Sequence, residues 1–178
     1  MYRALICLPL ILPSACMSEK TQREPVQWKT EYTDAECKAL MTEEAIVQRC
    51  GGGDLERANT TLNTDPASCI PYSPAGLISG VWVRSFEYSE FFEGAQSYQE
   101  VARRAHDQHD PLTWFSPIGR ADAAVGRLPP PPEGEAFHVD VIGRRSLCEY
   151  GYGHQGLGSH EVIAEELMGA TALPMSRY

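Results

Sequence analysis

The residues best equipped for chemistry gather in 149–161, Glu-Tyr-Gly-Tyr-Gly-His-Gln-Gly-Leu-Gly-Ser-His-Glu. Gly151, Gly153 and Gly156 have the G-x-G-x-x-G spacing of a dinucleotide-binding turn, and His160-Glu161 begins like the H-E-x-x-H of zinc proteases. Neither reading finds the context it needs. A dinucleotide turn requires a helix and then a second parallel strand ending in an acidic residue about 20 residues on, and the 178-residue chain has no room for them after Gly156. Ala164 stands where the second zinc histidine belongs. His106-Asp107-Gln108-His109 is an H-x-x-H pair, but Asp107, Asp110 and Pro111 mark a solvated helix end around it. No G-x-S-x-G occurs, so nothing supports a nucleophile elbow. No cofactor and no nucleotide are expected. What remains for the glycines is backbone geometry: a tight or bulged turn between strands, with rings packed on its flanks. Such a loop can contact a partner, which makes Tyr150, Tyr152, His154 and the nearby Arg144 the binding candidates. The alternative is a metal-dependent hydrolase built on His106 and His109 or on His154 and His160; it needs three ligands and an open position.

Charge narrows the partners. Fifteen Lys and Arg stand against 24 Asp and Glu, a formal net charge of −9. Nucleic acid is excluded, because phosphate neutralisation needs clustered basic residues. Tight peripheral binding to anionic lipid is disfavoured for the same reason.

The N-terminus supplies a different route to a membrane. Arg3 precedes an apolar run from Ala4 to Leu12, followed by Pro-Ser-Ala before Cys16. This is the charged, apolar and small-residue order of an export signal, and the run is far below the ~20 residues that span a bilayer. Leu12-Pro13-Ser14-Ala15-Cys16 resembles the lipobox of bacterial lipoproteins, which implies a lipid (palmitate among its chains) on Cys16 and residence in the cell envelope. With Met17 after the cysteine, the resemblance implies an outer-membrane lipoprotein facing the periplasm. The other reading is an ordinary secretory signal cut near Ala15. Both export the chain. The expected organisation is a signal peptide over 1–15, a polar tether over 16–32 and a single domain over 33–178.

Of six cysteines, Cys7 lies in the signal and Cys16 is the lipid site. Cys37, Cys50, Cys69 and Cys148 remain, an even set that in an exported protein reads as two disulfides. Thr33-Asp34-Ala35-Glu36 is a capping box, and the apolar spacing predicts one helix from 33 to 49, stopped by Gly51-Gly52-Gly53. Along such a helix Cys37 and Cys50 would lie ~20 Å apart, too far for a bridge. Cys50–Cys69 with Cys37–Cys148 is favoured; Cys37–Cys69 with Cys50–Cys148 stays open.

Residues 51–68 read as an irregular loop from their Gly, Asn, Thr and Asp content. Val81 and Val83 alternate with Trp82 and Arg84 as in a strand, and Phe137, Val139 and Val141 alternate with His138 and Asp140 in a clearer one. Between these strands the pattern predicts a short helix over 98–106 and a stiff four-proline run at 129–132. Over 160–173, local spacing favours helix.

Four segments then carry a resemblance: "SGVWVRSFEYSEF" at 79–91, "FHVDVIGRRS" at 137–146, "YGYGHQG" at 150–156 and "HEVIAEEL" at 160–167. In order and content they resemble uncharacterised exported proteins of Proteobacteria. The resemblance implies an α+β domain, a small antiparallel and partly open β-barrel of OB-like type with an N-terminal helix and a long insertion. It brings no activity. It also makes 160–170 a strand, since two strands alone would leave their edges unpaired. Trp82, Phe86, Phe137, Val139 and Val141 become core residues, and Arg84, Arg144 and Arg145 fall near strand ends, where acidic partners are plentiful. The function expected is a non-enzymatic envelope protein that binds a partner or supports the surface.

Overall fold

The computed structural model describes residues 28–85, 88–106, 112–128 and 135–174. It begins with a helical layer. Thr33 caps α1 (Asp34–Leu40): its hydroxyl accepts the Glu36 N–H at 3.3 Å, and the Glu36 carboxylate accepts the Thr33 N–H at 3.0 Å. The single helix expected over 33–49 is in fact two. α1 ends at Met41, and Thr42 caps a second helix, α2 (Glu43–Gly51), by accepting the Ala45 N–H at 3.2 Å. A threonine followed by two acids offers the backbone a fresh start that competes with continuation. The predicted stop holds: Gly52 ends α2 in the left-handed region at φ +66°.

The segment expected to be irregular contains α3 (Leu55–Thr64), capped by Asp54, whose side chain accepts the Arg57 N–H at 3.0 Å. Thr60, Thr61 and Thr64 would weaken a free helix, but each hydroxyl donates to the carbonyl four residues back. Gly51 lets α3 approach α2, since a Cβ there would lie 2.9 Å from the Ala58 nitrogen. Packing thus overrides composition.

Both favoured disulfides are present: Cys50–Cys69 and Cys37–Cys148, each with α-carbons 5.2 Å apart. The first closes the helical layer on itself. The second ties α1 to the chain beyond the fourth strand.

The strands are β1 (Gly76–Ser85), β2 (Tyr88–Glu93), β3 (Thr113–Pro117), β4 (Glu135–Arg145) and β5 (His160–Ala172). They close in the order β1-β2-β3-β5-β4, with β4 paired back on β1. Two further helices, α4 (Tyr98–His106) and α5 (Arg120–Val125), flank β3 in sequence. This is a small OB-like barrel, and two details of the expectation change. The barrel is closed rather than partly open, and it is mixed, because β3 runs parallel to β5. What the sequence showed as one strand over 79–91 is the hairpin β1–β2, and β3 within "DPLTWFSP" had no expected role. Phe86, expected in the core, lies outside the described residues.

Inside the barrel Trp82 meets Phe115 at 5.1 Å and Phe137 at 5.8 Å between ring centroids, over Val139, Val141 and Val162. The Trp82 indole N–H donates to Ser89 Oγ at 2.9 Å, which donates to the Phe115 carbonyl at 2.7 Å, so the buried donor is satisfied. Outside, Met41 and Ile46 of the helical layer form a second buried cluster with Tyr72, Tyr152 and Ile163 of β5. α4 covers Val81 and Phe92 through Val101. β5 therefore buries both faces: Val162 and Ala164 point inward while Ile163 meets the helices. That continuous apolar run is why its local pattern mimicked a helix.

Candidate functional site

The connection from β4 to β5, residues 146–159, is pinned at every level. Cys148 holds it to α1. Tyr152 and Gly158 exchange both backbone hydrogen bonds, at 2.8 and 3.0 Å, and the Tyr152 hydroxyl donates to the Cys148 carbonyl at 3.0 Å. Gly153 sits at φ +72° directly against the Trp114 indole of β3, and any Cβ there would overlap that ring. Gly151 and Gly156 face each other so closely that a Cβ on the first would lie 3.3 Å from the second. The glycine spacing serves a tight, aromatic-flanked turn.

Beneath this loop is a polar cluster on the outer face of the barrel. The Glu161 carboxylate accepts from the Tyr72 hydroxyl on one oxygen and from the Ser116 hydroxyl on the other. The Glu161 N–H donates to Ser146 Oγ at 2.9 Å. Burial pushes the Glu161 carboxyl above its ordinary 4.5, and the Ser116 and Tyr72 hydroxyls pull it back. Burial also raises the Tyr72 phenol well above its usual 10, with the Glu161 charge adding to the effect. Tyr72 therefore remains a donor at neutral pH. Burial raises the Tyr152 phenol too.

A groove of about 660 Å³ opens beside this cluster, between α3, β3, α5 and the 150–153 backbone, with Glu161 in its wall. A second hollow, of about 580 Å³, lies over the Cys37–Cys148 bridge and is lined by Lys38, Glu149 and His160 among others. Tyr150 borders both.

The residues singled out in the sequence are distributed as follows. Tyr150 is 38% exposed and meets Tyr152 edge-on at 5.9 Å, whereas Tyr152 itself is buried, its ring supporting the loop from within. His154 lies in the single turn His154–Gly156 at the loop tip. Arg144 is away from the groove and pairs with Glu165 at 2.6 Å. Arg145 pairs with Glu93, and Arg84 lies over the Trp82 ring at 5.1 Å. His106 ends α4, and His109 and Cys16 lie outside the described residues. His160 approaches Ser146 Oγ at 3.5 Å and Glu149 at 3.7 Å. No group of three or more His, Cys, Asp or Glu is placed to hold a metal among the described residues. Sequence reasoning missed Tyr72, Trp114, Ser116 and Asp122. Only Glu161 carried a signal, and it was read as half of a zinc motif.

No family model, curated protein or solved structure matches the chain.

Proposed function

We propose that this chain is an exported bacterial lipoprotein, anchored in the envelope through Cys16 and facing the periplasm. In this reading its barrel domain binds a partner or ligand and catalyses no reaction. The two bonded cysteine pairs support export, since such bridges persist in oxidising compartments. Trp28 donates to the Ala67 carbonyl at 2.7 Å and Tyr32 packs on the helical layer, so the part of the tether nearest the domain is docked. Residues 17–27 then separate the lipid from Trp28, a reach of at most ~40 Å.

The observation that carries the binding reading is Tyr150. It is an exposed ring at the rim of two hollows, on a loop fixed by a disulfide, paired backbone and a glycine-on-indole contact. A rigid aromatic rim binds at low entropic cost. The test places a photo-cross-linking residue at position 150 of the full chain in cells, and separately at Leu77, which is exposed but outside both hollows. A discrete, reproducible adduct from 150 and none from 77 is expected. Adducts from 77 alone, or from neither, would refute the reading.

A further inference from the structure

The groove beside Glu161 has a defined chemistry. Its described lining includes two carboxylates, Glu161 and Asp122, and no Lys, Arg or His. Leu62, Pro66 and Ile163 give it an apolar side, and Trp114 and Tyr150 bring two ring systems to it. Each Glu161 oxygen accepts one hydroxyl, from Tyr72 or Ser116. A carboxylate oxygen has about two acceptor positions, and Glu161 stands in the groove wall. A half-buried carboxylate raised by desolvation gains most from a partner that is itself cationic and can donate hydrogen bonds. Aromatic faces attract the same species, and apolar walls suit a hydrocarbon stem behind a charged head. The chain's net charge of −9 draws cations toward it.

We infer that this groove binds an alkylammonium group, an apolar stem ending in a primary ammonium that docks between Glu161 and Asp122. The inference rests on the binding reading above and names the ligand class for it. The same chemistry is offered by a small alkylamine and by a lysine side chain, and the test separates the two.

The disulfide-bonded full chain is titrated by calorimetry at low ionic strength with n-hexylammonium, hexan-1-ol, hexanoate and acetyl-lysine N-methylamide. Hexylammonium or the lysine amide should bind at least tenfold more tightly than hexan-1-ol, and hexanoate should not bind. Glu161→Gln should weaken the cation by about tenfold, the equivalent of a hydrogen bond to a charged group. Asp122→Asn, on the exposed face of α5, should weaken it by about threefold and serves if the Glu161 variant fails to fold. Preference for hexylammonium assigns a small amine, and preference for the lysine amide assigns a protein side chain; either supports the inference. Equal affinity for hexylammonium and hexan-1-ol, cation affinity unchanged in a folded Glu161→Gln, or, where that variant does not fold, cation affinity unchanged in Asp122→Asn, overturns it. Cross-linking from position 150 does not depend on ligand charge. Its persistence would show that the ammonium assignment had failed while the binding reading stood.

Discussion

Burial lifts the Glu161 carboxyl above 4.5 against the pull of two hydroxyl donors, and this sets the sign of its effect on stability. A carboxyl whose folded pKa exceeds its unfolded value holds its proton more tightly when folded. Its contribution is complete below the unfolded value and declines as pH rises through the folded one. Urea midpoints of the wild type and Glu161→Gln, measured from pH 4 upward, should therefore shift against the wild type as pH rises past 4.5. A wild-type advantage that grows with pH would contradict this. Gly153 makes a second test. Alanine there needs a left-handed backbone and the space held by Trp114, so Gly153→Ala should cost about 2 kcal/mol or more. Denaturant unfolding would read the cost as a lower midpoint at unchanged slope. At this scale the sequence displayed the loop but hid its floor. Tyr72, Ser116 and Glu161 are 89 and 45 residues apart in their two hydrogen bonds, and no local spacing encodes such a meeting. Tyr152 could be mistaken for a surface ring because the residues it is buried among, Met41, Ile46 and Tyr72 included, lie far away in sequence.

Among the elements, those with punctuation at their ends could be read directly. The capping box at Thr33, the glycine stop after α2, and α4 over residues 98–106 all stand where the pattern put them. Thr42 was overlooked because apolar spacing continues across it. Its hydroxyl takes the Ala45 N–H, and Thr42→Ala should remove ~1 kcal/mol of stability. The same substitution at Thr30, outside any helix, should be neutral, and comparison of the two melting curves isolates the cap. α3 was masked by threonine and asparagine content, and its support comes from Asp54 and from contact with Gly51. β3 has five residues and one fully buried side chain, Phe115, too little alternation to stand out. The closing strand was legible only through resemblance, because burial on both faces erased its period.

For the molecule as a whole, the cross-links divide the work unequally. Cys37–Cys148 spans 111 residues and Cys50–Cys69 spans 19. Loop-closure entropy gives about 4.8 and about 3.2 kcal/mol respectively. Replacing the first pair by serine should therefore cost more than replacing the second, measured as urea midpoints without reductant; the reverse order would show that local packing, and not chain restriction, dominates. Lipidation gives a separate check. Cys16→Ser should abolish incorporation of a palmitate analogue in cells, and undiminished labelling of the variant would remove the anchor from the proposal.

The parallel pairing of β3 with β5 has a consequence in time. The described register of β2 on β3 is the single pair Glu90–Trp114, whereas five consecutive pairs, from Thr113–His160 to Pro117–Ala164, join β3 to β5. The hairpin β1–β2 and the β1–β4 ladder can form as soon as residue 145 is available. β3 must wait for a strand that comes later in the chain and slots between two earlier ones. Until then Trp114, the platform for Gly153, is held only from the β2 side, by its pairing with Glu90 and by the Ser89 and Phe91 contacts to neighbouring Phe115. Closing the barrel therefore requires the non-local β3–β5 and β4–β5 pairings, contacts of the kind that slow folding. A ribosome or translocon that halts the chain before residue 160 would hold a species with β1, β2 and β4 able to join and all four bridging cysteines present, but with β3 and the loop around Tyr150 still lacking the strand that seats them.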